Sequence, residues 1–187
     1  MSTETISPGP PTADGDVWET IAHEASAESP LWHAALRPSE ARERLPVFSA
    51  LGQSRFALGI ETIYEGYLLH YGRPRLFSPA TSERALLLGD YLYAHGLVRI
   101  AAGGLVAPVA DLAELISLCA QIRADGAHGD GLAWAATVTH LGTGRLDAAR
   151  AALRDRGDPD PLHALAREAA GGEAVEHALA AHAERVR

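Results

Sequence analysis

An all-α helical bundle of about seven to nine helices is the fold class this sequence predicts, because breakers fall at helix-length intervals along it. Two further observations agree. Alanine outnumbers every other residue, and alanine loses no side-chain entropy in a helix. No segment shows the alternating, β-branched pattern of a half-buried strand. The length of 187 residues suits one domain with a sizeable core. That domain is expected over residues 16–187, behind a Pro- and Gly-containing segment, residues 1–15, that reads as a disordered N-terminal tail.

The elements follow in order. Asp16 opens the run DVWETIAHEA with Glu19 three residues on, so the pair reads as a capping box. A short helix follows Pro30, and Ser39 precedes another helical candidate, EARERL. After Pro46 a long run extends to LLHY, with Phe56, Ile60, Ile63, Tyr64 and Tyr67 on one stripe. YGRPRLFSP ends it. SPATSER starts the next helix, which Gly103 and Gly104 stop, and VADLAELISLCAQIRA follows Pro108. Beyond the break DGAHGDG lie LAWAATVTHLG, RLDAARAALRDR, PLHALAREAA and EAVEHALAAHAERV.

Composition excludes several function classes. A formal charge of −8 without a clustered basic face argues against nucleic acid as a partner. Cys119 is the only cysteine, so no intrachain disulfide or multi-cysteine zinc site can form; within LISLCAQI it reads as a core residue. The N-terminus has neither the basic start nor the apolar segment of an ordinary secretory signal. Asp90, Arg99 and Asp111 interrupt the most apolar region, so no transmembrane segment is expected and the setting reads as cytoplasmic. No H-E-x-x-H, G-x-S-x-G, P-loop or dinucleotide fingerprint occurs. His70 reads as a surface or helix-end residue, and Asp125, His128 and Asp130 as a solvated loop.

One residue resists this bland account. In ERALLLGDYLYAHGLVRIAAGG, Arg84, His95 and Arg99 share a polar stripe at helical spacing, while Asp90 falls on the other side among Leu86, Tyr93 and Leu97. The pattern therefore predicts a buried carboxylate, which needs an arginine, helix-end amides or a cation to offset its desolvation.

YEGYLLHYGRP followed by ALLLGDYLYAHGLVRIA resembles the trans-polyprenyl diphosphate synthases over roughly residues 50 to 105. In that all-helical family an aspartate-rich helix leads to an R-R-G-x-P turn, and a later helix carries a G-D-Y/F-L motif. Gly72 and Pro74 match the turn, and Gly89 and Asp90 match the second motif. Glu65 falls near a carboxylate position of the first motif, with Glu61 one turn earlier. These glutamates are weak candidates for a shared cation; the commoner reading is a solvated helical face. Gly59 and Ile60 stand where the family has its leading aspartates, and His70 and Tyr71 where it has paired arginines. Arg73 and Arg75 are displaced candidates for diphosphate contacts. No D-D-x-x-D occurs, so the resemblance implies an isoprenoid-synthase-like fold with no catalytic residues and no cofactor of its own. Mg²⁺ would come through a catalytic partner. What it implies is a non-catalytic or regulatory subunit, or a degenerate homologue, in isoprenoid and quinone side-chain biosynthesis, paired with a catalytic prenyl synthase subunit in a hetero-oligomer; a homo-oligomer stays open.

A reading from another class rests on LAWAATVTHLGTGRLDAARAALRDRGDPDP, which looks like a single tetratricopeptide hairpin, with Trp134, Gly144, Ala148 and Ala149 echoing its small-residue spacing. It implies a stand-alone interaction scaffold, although no second copy appears at a fixed period.

Overall fold

The computed structural model describes residues 16–186, with side chains from residue 17. The expected tail, residues 1–15, and the side chain of Asp16 lie outside the described residues. Nine α-helices and no strand occur among the described residues: α1 (Asp16–Glu28), α2 (Pro30–Ala35), α3 (Ala57–Tyr71), α4 (Ser82–Ala101), α5 (Val106–Ala124), α6 (Asp130–Thr139), α7 (Asp147–Arg156), α8 (Asp160–Ala170) and α9 (Gly172–Ala183). The all-α expectation is therefore met. Extended pairing is limited to two isolated antiparallel bridges, Leu36 with Phe77 and Gly72 with Val186.

The helix α3 is the axis of the fold: eleven of its fifteen residues are buried. Its stripe of Ile60, Ile63, Tyr64 and Tyr67, entered by Phe56, is fully buried as the periodicity predicts. The main core packs these residues against Leu115 and Leu118 of α5, Trp134 of α6, and Val175 of α9. Phe48 stacks on Trp134 with ring centroids 5.7 Å apart, and Tyr64 meets the same indole edge-on at 5.1 Å. A second core joins Trp18 and Ile21 of α1 to Leu76, Phe77, Leu88 and Leu92.

The packing of α4 on α3 has a specific sequence basis. Gly59 and Gly66 on α3 are seven residues apart, as are Gly89 and Gly96 on α4. In the antiparallel pair Gly59 lies opposite Gly96 and Gly66 opposite Gly89: a Cβ on Gly96 would meet the Gly59 carbonyl at 3.0 Å, and one on Gly66 would meet the Gly89 carbonyl at 2.8 Å. Two turns of helix separate successive glycines, so each pair returns to the same face and lets the backbones approach. Thr81 caps α4 by accepting a hydrogen bond from the Arg84 amide at 3.3 Å.

Several local expectations are corrected. The capping box at Asp16 rests on a side chain outside the described residues, while the Glu19 carboxylate binds Arg42 at 2.8 Å and also Arg44. EARERL forms a single 3₁₀ turn, Ser39–Ala41. The run after Pro46 passes through two further 3₁₀ turns before α3 starts at Ala57. Helix α5 begins before Pro108, which tolerates the first turn because its missing N–H has no partner there. The tetratricopeptide-like hairpin does not form as a pair: α6 packs chiefly on α8, and Trp134 points into the main core. Among the described residues no helix is long and apolar enough to cross a membrane.

Gly66→Ala tests the glycine crossing. Overpacking costs about 1–3 kcal/mol, against about 1 kcal/mol of helix propensity regained, so a net loss in urea denaturation is expected. Gly103→Ala, where a Cβ would find nothing nearer than 3.5 Å, should stay within about 0.5 kcal/mol of the parent.

Candidate functional site

The residues singled out by the sequence fall into three separate places. The first is a buried ion cluster. Glu61 and Glu65, one turn apart on α3, are fully buried rather than solvated, because the chain after α3 folds back and puts Arg75 between them. The Arg75 guanidinium donates through Nη1 to Glu61 at 2.7 Å and through Nε to Glu65 at 3.0 Å. Nη1 also reaches the Leu45 carbonyl at 2.9 Å. The Arg75 and Leu76 amides donate to Glu65 at 2.9 and 2.7 Å, and the Ser49 hydroxyl donates to Glu61. The guanidinium lies over the Trp18 ring at 4.6 Å and over Tyr64 at 5.0 Å. Burial opposes the arginine charge, but the two carboxylates outweigh it and raise the Arg75 pKa further. Arg75 is thereby committed to the two glutamates, and the carboxylates that the sequence offered as weak candidates for a shared metal ion are bridged by a guanidinium instead.

The second place is the α3–α4 contact. Gly89 sits against the His70 ring and the Gly66 carbonyl, so its small size serves packing. Asp90 is not buried: its side chain is 70% exposed, with Oδ1 3.2 Å from His70 Nε2. The wheel misleads because its apolar neighbours Leu86 and Leu87 are themselves 47% and 57% exposed. The buried stripe of α4 is Leu88, Gly89, Leu92, Gly96 and Ile100. The polar stripe is a contact face: His95 binds Glu24 of α1 at 2.8 Å, and Arg99 binds the same carboxylate. His70 stacks on Tyr93 at 5.1 Å, and burial lowers its pKa more than Asp90 restores it.

The third place is the turn after α3. A Cβ on Gly72 would meet the Arg185 carbonyl at 2.5 Å, so a larger residue would push the C-terminal segment away. Arg73 donates its amide to that carbonyl at 2.8 Å and its guanidinium to Glu43 at 2.6 Å. Pro74, half-buried, leads into Arg75. Arg185 is also paired with Glu43, at 2.8 Å.

Sequence reasoning missed a network beneath a cleft. Asp130 is not a solvated loop residue: it opens α6, and its carboxylate accepts from the Tyr67 hydroxyl and from Arg123 in the last turn of α5. His182 of α9 lies 3.4 Å from Asp130 through Nε2 and 2.9 Å from the Tyr64 hydroxyl through Nδ1. Burial alone would raise the Asp130 pKa, yet the hydrogen bonds from His182 and Tyr67 and the nearby positive charges hold it well below the carboxylate range. Burial, reinforced by that carboxylate, pushes the Tyr67 pKa far up. An acid opening an apolar helix and an arginine ending the previous one were the available signals. Arg123 also lines an open cleft of about 770 Å³ with His70, Tyr71 and His128. Tyr64 and Tyr67 are buried away from solvent, and their hydroxyls tie α3 to His182 of α9 and to Asp130 of α6. A second missed pair, Arg150 and Asp111, ties α7 to α5 at 2.9 Å. Among the described residues no group of three or more His, Cys, Asp or Glu side chains is placed to hold a metal ion.

Arg75→Met leaves two buried carboxylates without their cation and should cost about 3–5 kcal/mol in chemical denaturation. Asp90→Ala, at an exposed side chain, should change stability by no more than about 0.5 kcal/mol. For Asp130 the native pKa is depressed, so its contribution is present above the unfolded value of about 3.9 and is lost as pH falls below it. Acid titration of Asp130→Asn should therefore show a shallower loss of stability between about pH 4 and pH 2 than the parent shows. No known protein family, curated protein or solved structure matches the chain.

Proposed function

We propose that this chain is a non-catalytic helical subunit that acts by docking another protein on the outer face of α4. The partner in this reading is a catalytic polyprenyl diphosphate synthase subunit that supplies the Mg²⁺ site, working in the cytoplasm on quinone side chains. The observation that carries the docking role is the exposed stripe of α4. Leu87, Ala94, Val98 and Ala101 recur at helical spacing and run on to Leu105 and Val106, with Asp90 the one charged residue among them. Leu87 is 57% exposed, Val98 63% and Val106 81%. Scattered apolar residues on a surface are ordinary, whereas a continuous apolar strip marks an interaction surface.

Two further features support the reading. Both carboxylates of α3 are held by Arg75, so neither is free to join the facing carboxylate clusters that prenyl transfer requires. The ordered pair Gly72 and Pro74, then Gly89 and Asp90, supports the choice of partner, although the glycines also serve backbone packing here. The scaffold reading shares the docking surface and differs only in the partner.

The test is co-expression with a synthase subunit carrying both aspartate-rich motifs, followed by size-exclusion chromatography with light scattering. A stable complex is expected, and Leu87→Glu with Val98→Arg should abolish it while leaving unfolding within about 0.5 kcal/mol of the parent. Separate elution of the parent chain overturns the synthase partner. A complex indifferent to both substitutions overturns the α4 surface.

A further inference from the structure

A narrow pocket of about 290 Å³ lies where the start of α3 meets the end of α4. That volume is close to the lower end for small-molecule sites, about 300 Å³. Phe56, Leu58, Ile100 and Leu105 form apolar walls, and the charged residues of the lining are two arginines, Arg55 and Arg99, with no acid. Phe56 and Ile100 are buried, Arg99 is largely so, and Arg55 is exposed at the rim.

Positive charge predominates around this pocket. Among the described residues Arg55 has no carboxylate partner, and its guanidinium rests over the Phe56 ring at 4.5 Å. Arg99 gives Glu24 one bond through Nη2, its buried Nε has no hydrogen-bond partner, and the same Glu24 oxygen is shared with His95. Burial accordingly lowers the Arg99 pKa, as expected of a cation short of compensation. The acids on the far side of Arg55 and Leu58 are spent: Glu61 is held by Arg75 and Ser49, and Glu19 by Arg42 and Arg44. Backbone dipoles point the same way. Leu58 and Gly59 belong to the first turn of α3, a helix start with no side-chain cap and a partial positive charge. The opposing end of α4 is muted, because the Val98, Ile100 and Ala101 carbonyls accept from the amides of Ala102, Gly103 and Gly104.

We infer that this pocket binds a small aliphatic carboxylate, with its head group between Arg55 and Arg99 and its alkyl body along Phe56, Ile100 and Leu105. Guanidinium donors in a planar fork suit a carboxylate. One negative charge matches the surplus, since two guanidiniums face a single shared glutamate. The site adjoins the docking strip of α4 at Leu105 but includes neither Leu87 nor Val98, so it stands whether or not a partner docks there.

The probe is hexanoate, compared with acetate, hexan-1-ol and hexylamine, by isothermal titration calorimetry on the full chain. Nuclear magnetic resonance of the arginine Nε–H groups is the second readout. Hexanoate should bind most tightly and shift the Nε–H resonances of both Arg55 and Arg99. Acetate, without the alkyl body, and hexan-1-ol, without the charge, should each bind at least about tenfold more weakly, and hexylamine least. Arg55→Ala, on the exposed rim, should weaken hexanoate about fivefold for want of one ion pair and leave hexan-1-ol unchanged. Arg99→Gln should also weaken hexanoate; because it releases Glu24 as well, Arg55→Ala keeps the test decisive if Arg99→Gln fails to fold. Absence of hexanoate binding, hexan-1-ol or hexylamine binding as tightly, binding that leaves the Arg99 resonance unmoved, or an Arg55→Ala variant that binds hexanoate as the parent does would each overturn the proposal.

Discussion

Arg75 is the constraint on which the rest of the structure depends. Its side chain and amide draw together Trp18 of α1, the Leu45 carbonyl, and both glutamates of α3. Burying three charges is expensive, and a hydrophobic replacement of similar shape can match such a cluster in stability. What the cluster adds is geometry. A guanidinium is a rigid planar fork, and its bonds to two carboxylates one helical turn apart fix where the α3–α4 connection must lie. Leu76 and Phe77, which follow at once, are thereby placed in the second core beneath Trp18.

That placement feeds directly into the glycine crossing. With the connection fixed, α4 returns antiparallel along α3, and the two glycine pairs let the backbones meet where larger residues would hold them apart. Backbone-to-backbone contact has a consequence for the opposite side. A helix pressed close through a narrow stripe buries little of its circumference, so Leu86, Leu87 and Val98 remain outside although the helix is apolar nearly all round. The exposed strip on α4 is thus the complement of the glycine face.

The same geometry explains what could be read from the sequence and what could not. The helices themselves were legible from breakers and periodicity, and so was the α3 stripe, because Ile60, Ile63, Tyr64 and Tyr67 lie on one buried face. Asp90 was not. A helical wheel infers burial from the polarity of neighbours, and on α4 the buried and exposed faces are both apolar, so it had no contrast to work with. Glu61 and Glu65 failed for a different reason: their partner is Arg75, in the connection beyond the end of the helix, and no periodic pattern relates them. The heptad-spaced glycines were in plain view, but Gly89 was read as part of a motif, when its spacing from Gly96 and the matching pair on α3 carry the packing information. Asp130 was hidden by its surroundings, since a Gly- and Asp-rich break looks solvated until α3, α5 and α9 close over its end.

Across the molecule, interior charge is committed to joining helices. Arg150 and Asp111 link α7 to α5, Arg123 and Asp130 link α5 to α6, and His182 brings α9 to both Asp130 and Tyr64. Each pair satisfies a charge that would be costly alone, and each spans elements that the short loops do not by themselves orient. In this chain the best-placed acids and bases of the interior are already bound to one another, and α4 turns a nearly uncharged strip to the outside. That division, polar groups inward as fasteners and apolar side chains outward on α4, is what the proposed docking role rests on.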